Sequence, residues 1–219
     1  MSAPLAGPTR PDPLAALRSP GWLTEARRKA IHLSFIVLPL DLLYEVLPWP
    51  RGRAEFRLLF LALVVAAVAL DLLRIHERRV ATFFRRFFGE LIREHERFNL
   101  LGSTYLLMAA LLAIEIFPQP VAAAAVGFTV VGDAFAAMVG RAWGRTRLFN
   151  KSFEGALGGL GACLAWAAFL VAGGHLGWAT ALIGALVASL VEILPIPLDD
   201  NLGITLAAGY AMKLSLGAA

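Results

Sequence analysis

Charge is scarce in this sequence of 219 residues: Asp, Glu, Lys and Arg make up 16% of it, against 58% hydrophobic residues. So little polar sequence cannot wrap a soluble core, and with a mean hydropathy of +0.69 the chain reads as an integral membrane protein. Cysteine is scarcer still. The lone Cys163 lies in the apolar run GACLAWAAFLV, which excludes a disulfide framework and suggests a buried, inert thiol. Among the four histidines, His76, His95 and His175 show no metal-ligand spacing to one another or to Cys163, so zinc is not indicated. The P-loop spacing G-x-x-x-x-G-K-[ST] and the nucleophile signature G-x-S-x-G are both missing. The opening MSAPLAGPTRPDPLAALRSPGW lacks the apolar core of a secretory signal. Residues 1–26 read as a mobile or surface-lying arm ahead of a single membrane domain, 27–219.

What is abundant is apolar sequence. Seven stretches, at 30–47, 57–75, 100–117, 121–139, 156–173, 176–194 and 202–216, each approach the ~20 residues a helix needs to cross the hydrocarbon layer. The expected fold is all-α, a polytopic bundle of about seven transmembrane helices. Pro48, Pro50, Pro118, Pro120, Gly173, Gly174, Pro195 and Pro197 punctuate the gaps. Sixteen of the twenty Lys and Arg residues fall in segments on one side if the amino terminus is inside, which predicts a cytoplasmic amino terminus and an opposite carboxyl terminus. The net charge of +4 belongs to that pattern rather than to nucleic-acid binding.

Residues 74–98, RIHERRVATFFRRFFGELIREHERF, alternate phenylalanines with arginines at helical spacing. They predict an amphipathic helix over 78–98 lying in the interface, either as an anchor or as a rim guiding lipid. Gly155, Gly158, Gly159 and Gly161 in the fifth stretch, and Gly177, Gly184 and Ala188 in the sixth, predict that these two helices approach closely in the bundle centre.

Six carboxylates, Asp41, Glu45, Asp71, Glu115, Asp133 and Glu192, lie within or at the edge of apolar stretches, where a charge needs a partner, water or a cation. Asp133 is the sharpest case. It begins GDAFAAMVGRAWGRTRLFNKSFEG, which runs through Gly140, Arg141, Gly144, Arg145 and Arg147 to Lys151, Ser152 and Glu154. Cations between glycines suit phosphate oxygens, and flanking acids suit Mg²⁺. The plainer reading gives the arginines to the positive-inside pattern and makes Ser152 a helix cap. A second cluster, EILPIPLDDNLG, brings Glu192, Asp199, Asp200 and Asn201 to the start of the last helix, where a cation or the helix terminus must offset adjacent carboxylates. A third, EARRKAIHLSF, opens the first stretch with Arg28, Lys29 and His32. Glu96 and Asn99 join them from the start of the third stretch. Under the derived topology all of these lie on one membrane face.

These residues resemble the membrane-embedded CTP-dependent lipid-alcohol kinases, a family that includes dolichol, phytol and farnesol kinases and a yeast-type diacylglycerol kinase. GDAFAAMVGRAWG followed by KSFEG is similar to that family's central signature. RRKAIH, EHERFNLLGSTYLL and EILPIPLDDNLG fit in order and spacing, so the similarity runs over about 27–209. Ala156 and Thr205 depart from the Ser or Thr and the Pro common at those places, which bears on lipid specificity. The resemblance implies transfer of the CTP γ-phosphate to a membrane lipid alcohol (a prenol or polyprenol, phytol-like alcohol or diacylglycerol), giving a lipid phosphate and CDP. It implies a cytoplasmic active site using CTP and Mg²⁺. Asp133, Asp199, Asp200 and Glu154 become metal ligands or orient the nucleophile, with Lys151, Ser152, Arg141, Arg147, Gly140, Gly144, Arg28, Lys29, His32 and Asn201 around the nucleotide or headgroup. Oligomeric state stays open, a homodimer included. Two alternatives share parts of this pattern: a CTP-using phosphatidate-type cytidylyltransferase, whose Gly- and His-rich segment is not found, and a small proton-coupled transporter, for which no internal repeat is visible.

Overall fold

The computed structural model describes residues 20–217, and the arm expected over 1–26 lies outside them up to residue 19. The remainder of that arm is helical: α1 is Pro20–Ser34 and runs across the expected boundary at residue 27. The stretch expected as one helix over 30–47 is broken, and α2 is Val37–Tyr44. Pro39 accounts for the break, because it has no N–H for the carbonyl of Phe35 and its ring crowds that carbonyl. The chain closes the gap with Leu38 N–H donating to Phe35 O at 3.0 Å and Leu40 N–H to Ile36 O at 3.3 Å.

α3 is Gly52–His76, followed by the amphipathic α4, Arg78–Phe88. That helix was expected to reach residue 98. It stops ten residues earlier, where Gly89 weakens helix propensity and the chain turns into a short 3₁₀ helix, Glu94–Arg97. α5 is Gly102–Ile116 and α6 is Gln119–Trp143. A hairpin of two short antiparallel strands, β1 Arg147–Leu148 and β2 Lys151–Ser152, pairs Arg147 with Ser152 and Leu148 with Lys151. Phe149, at φ 54°, supplies the left-handed residue of its turn. α7 is Phe153–Ala172, α8 Trp178–Ile193 and α9 Asp200–Gly217.

The fold is all-α apart from that hairpin. Among the described residues three helices, α3, α6 and α7, are long and apolar enough to cross a membrane; α5 and α8 are apolar but shorter. The seven stretches thus do not become seven equal spans. Nor are α7 and α8 the centre: the apolar window of α6 is 72% buried, against 33% in α7 and 17% in α3, and α6 touches α1, α2, α5, α7, α8 and α9. Its alanines let neighbours approach. Thr129 and Thr205 tie α6 to α9 through their hydroxyls at 2.7 Å, and Trp166 of α7 lies over Gly127.

The remaining acids of the apolar stretches sort themselves by end. Asp71 and Arg74 form a buried ion pair at 3.0 Å at the end of α3. Arg74 also donates to the carbonyls of Glu96 at 3.0 Å and Asn99 at 2.7 Å, while Asp71 accepts from Leu101 N–H at 2.9 Å and the Thr104 hydroxyl at 2.7 Å. Two segments meet there with no polar atom of the pair wasted. At the other end Glu115 pairs with Arg57 at 3.3 Å and Glu45 with Arg51 at 3.7 Å, and Asp41 accepts from Leu47 N–H at 2.6 Å. Each of those three carboxylates thus has a local partner.

Candidate functional site

α1 lies against α6, which brings Lys29 onto Asp133. The two form a direct ion pair, with Lys29 only 2% exposed. His32 presents Nε2 at 3.6 Å from the same Asp133 Oδ2, beyond hydrogen-bond reach. Glu25, one turn before Lys29, pairs with Arg28 and, at 3.0 Å, with Arg141 at the far end of α6. Arg141 also donates to Gly21 O at 3.1 Å.

The hairpin delivers the second cation. Lys151 sits 3.0 Å from Asp200 Oδ2 and 3.1 Å from Glu192 Oε1, and it also donates to the Glu192 carbonyl. Burial alone would lower the Lys151 pKa, but the Glu192 and Asp200 carboxylates outweigh it and raise the value above that of an ordinary lysine. Asp199 accepts from the backbone and side-chain nitrogens of Asn201, both at 2.9 Å. Burial, joined by the charges of Asp200 and Asp133, pushes the Asp199 carboxyl above the usual range despite those bonds. Asn201 Nδ2 donates to Gly102 O at 3.1 Å, fastening the start of α9 to that of α5, and its buried Oδ1 has no hydrogen-bond partner among the described residues.

α1, α6, β2, α8 and α9 thus each contribute a charged group to one or other of these two clusters. Not every expected residue joins them. Glu154 is turned away: its carboxylate accepts from Arg145 N–H at 3.0 Å and from Thr146 N–H and hydroxyl at 3.1 Å, holding the loop after α6. Ser152 caps α7 through Gly155 N–H at 3.1 Å, as the plainer reading has it. Gly140 and Gly144 serve packing: a Cβ on either would stand 2.8 or 2.7 Å from the Ser152 hydroxyl. Glycines that look like phosphate-cradle residues are where helix and hairpin touch. Arg147 is exposed on β1.

The fit to a metal is correspondingly narrower than the four carboxylates suggest. Among the described residues no group of three or more His, Cys, Asp or Glu side chains is placed to hold an ion. Asp199, Asp200 and the unpartnered oxygen of Asn201 remain, and one or two carboxylates with substrate phosphates suffice for Mg²⁺. Glu25 was missed by the sequence because it lies in the segment assigned to the arm. Its spacing of three and four residues from Arg28 and Lys29 is the only local signal.

No protein-family model matches the chain, and no solved structure matches it. An uncharacterized protein of Rickettsia prowazekii is 27% identical over 134 residues. That similarity covers 60% of this chain and 63% of the relative's length.

Proposed function

We propose that this protein is a CTP-dependent lipid-alcohol kinase, a multi-pass membrane protein of about seven crossings with its site at the cytoplasmic face. The supporting observation is the presence of two lysine–carboxylate clusters, Lys29–Asp133 and Lys151–Asp200–Glu192, in one apolar bundle. A transporter has no need to gather cations and acids in two such clusters, whereas phosphoryl transfer consists largely of positioning and electrostatic stabilisation. The preference for CTP and for a lipid acceptor rests on the motif resemblance and the apolar surroundings.

In this reading the lipid hydroxyl oxygen bonds to the γ-phosphorus as the bond from that phosphorus to the β–γ bridging oxygen breaks. CDP leaves, and the hydroxyl proton passes to a carboxylate, with Asp133, Asp199 and Asp200 the candidates. Lys29 and Lys151 exchange part of their carboxylate contacts for phosphate oxygens. Arg28 and Arg141, held by Glu25, add charge at the rim. Mg²⁺, when bound, supplies neutralisation of phosphate charge, and Asp199, Asp200 and Asn201 would hold it.

The test is product analysis. Purified protein given γ-labelled CTP with a prenol, a phytol-like alcohol or diacylglycerol is expected to label the lipid, with about 10²-fold lower kcat/KM for Lys151→Met. Label in pyrophosphate would replace this reading with a cytidylyltransferase, and solute flux in proteoliposomes without CTP would replace it with a transporter.

A further inference from the structure

α4 has no buried residue, although it carries four phenylalanines in eleven positions. On a helix of 3.6 residues per turn Val80, Phe83, Phe84, Phe87 and Phe88 occupy one half of its circumference, and Arg78, Arg79, Thr82, Arg85 and Arg86 the other. The rings cluster among themselves, Phe83 to Phe87 at 4.7 Å and Phe84 to Phe88 at 5.5 Å between centroids. Among the contacts of the fold this helix is carried by α3. Between it and α1 an open groove of about 770 Å³ remains.

The lining of that groove is divided by chemistry. Arg27 of α1 and Arg85 and Arg86 of α4 supply cations, and Ile31, Phe87 and Leu91 supply apolar surface. One acid, Glu90, lines it as well and stands 4.0 Å from Arg27, both side chains exposed. Three guanidiniums against one carboxylate leave the groove with a positive excess beside a greasy wall. Arginine matches phosphate oxygens in geometry as well as in charge. A soluble anion has no use for Phe87, and a neutral lipid has none for the arginines. The volume lies in the range of small-ligand sites.

We propose that the groove between α1 and α4 is a binding site for an anionic phospholipid of the surrounding leaflet, its phosphate held by Arg27, Arg85 and Arg86 and the first carbons of its tails lying on Ile31 and Phe87. The lipid completes the contact between α4 and α1 that the described residues leave open. The groove lies on a different side of α1 from Lys29 and His32, which face Asp133. The inference does not rest on the proposed kinase activity.

The full-length protein in nanodiscs, titrated with spin-labelled phosphatidylglycerol and phosphatidylcholine, tests it. Wild type is expected to prefer the anionic lipid, and Arg85→Gln/Arg86→Gln to lose on the order of tenfold of that preference. Arg78→Gln/Arg79→Gln changes the charge of the same helix equally but does not line the groove, and retains it. Arg27→Gln, on the other wall, is expected to reproduce the loss if the double variant proves unstable. Equal loss in both double variants means diffuse attraction of the helix to charged membranes and overturns the site. No preference in wild type overturns it too, and so does full competition by glycerol 3-phosphate, which would mark a soluble-phosphate site.

Discussion

Burying Lys29 is tolerable because Asp133 lies against it, and the same holds in reverse. Removing one partner strands the other: Asp133→Asn is expected to cost about 3–5 kcal/mol, measured as a fall in detergent-solubilised unfolding. The double variant Lys29→Met/Asp133→Leu should recover most of that stability while phosphotransfer stays abolished. Recovery of both would remove Asp133 from the chemistry. Lys151 offers a pH test. Its pKa is raised above the ordinary 10.5, so its stabilising contribution is complete below the ordinary lysine value, declines as pH rises past it, and is lost once pH has climbed through the elevated value. Thermal scans against pH should show that alkaline decline in wild type and a shallower one in Lys151→Met. Asp133, Lys151, Asp200 and Asn201 were legible because acids and cations in apolar sequence demand explanation. Their partners were less so. Lys29 and Asp133 are 104 residues apart, and no local pattern says which cation meets which acid.

Elements follow the sequence where apolar length decides and depart from it where one residue does. Hydropathy locates α3, α5, α6, α7, α8 and α9 to within a few residues. Pro39 splits the first stretch, and Gly89 with the acceptor demands of Glu96 shortens α4, since that carboxylate takes N–H groups from Arg93 at 2.8 Å and Gly102 at 3.0 Å. The glycines carry an ambiguous message, because close helix contact and phosphate cradling ask for the same residue. Substitution separates the two in α7. A Cβ at Gly155 would meet the backbone oxygen of Ala136 at 2.7 Å, while one at Gly161 meets nothing within 4 Å. Gly155→Ala is therefore expected to destabilise by about 1–3 kcal/mol, and Gly161→Ala to be neutral or stabilising by up to about 1 kcal/mol. Thermal denaturation of the two variants side by side gives the comparison. Equal effects would mean that α6 and α7 are not seated as described.

At the scale of the whole molecule, charge divides the bundle. One end carries Lys29, Asp133, Lys151, Glu192 and Asp200, and the other carries the Arg57–Glu115 and Arg51–Glu45 pairs. The proposed orientation has a direct consequence for labelling in intact cells. With Cys163→Ala as background, a membrane-impermeant thiol reagent should reach Arg53→Cys from outside and leave Arg85→Cys untouched. The inverse pattern would turn the protein over and put the site on the wrong side for CTP. That these acids share an end of the bundle was suggested by segment order. How tightly it gathers them was not, because that depends on helices whose crossings only the folded chain fixes. The Asp71–Arg74 pair adds a mechanical consequence. It rivets the end of α3 to the loop before α5, and α4 hangs between the two with no residue of its own in the core. A displacement of α4 then has no need to pull α3 away from α5, because the pair joins those two directly and bypasses the helix between them.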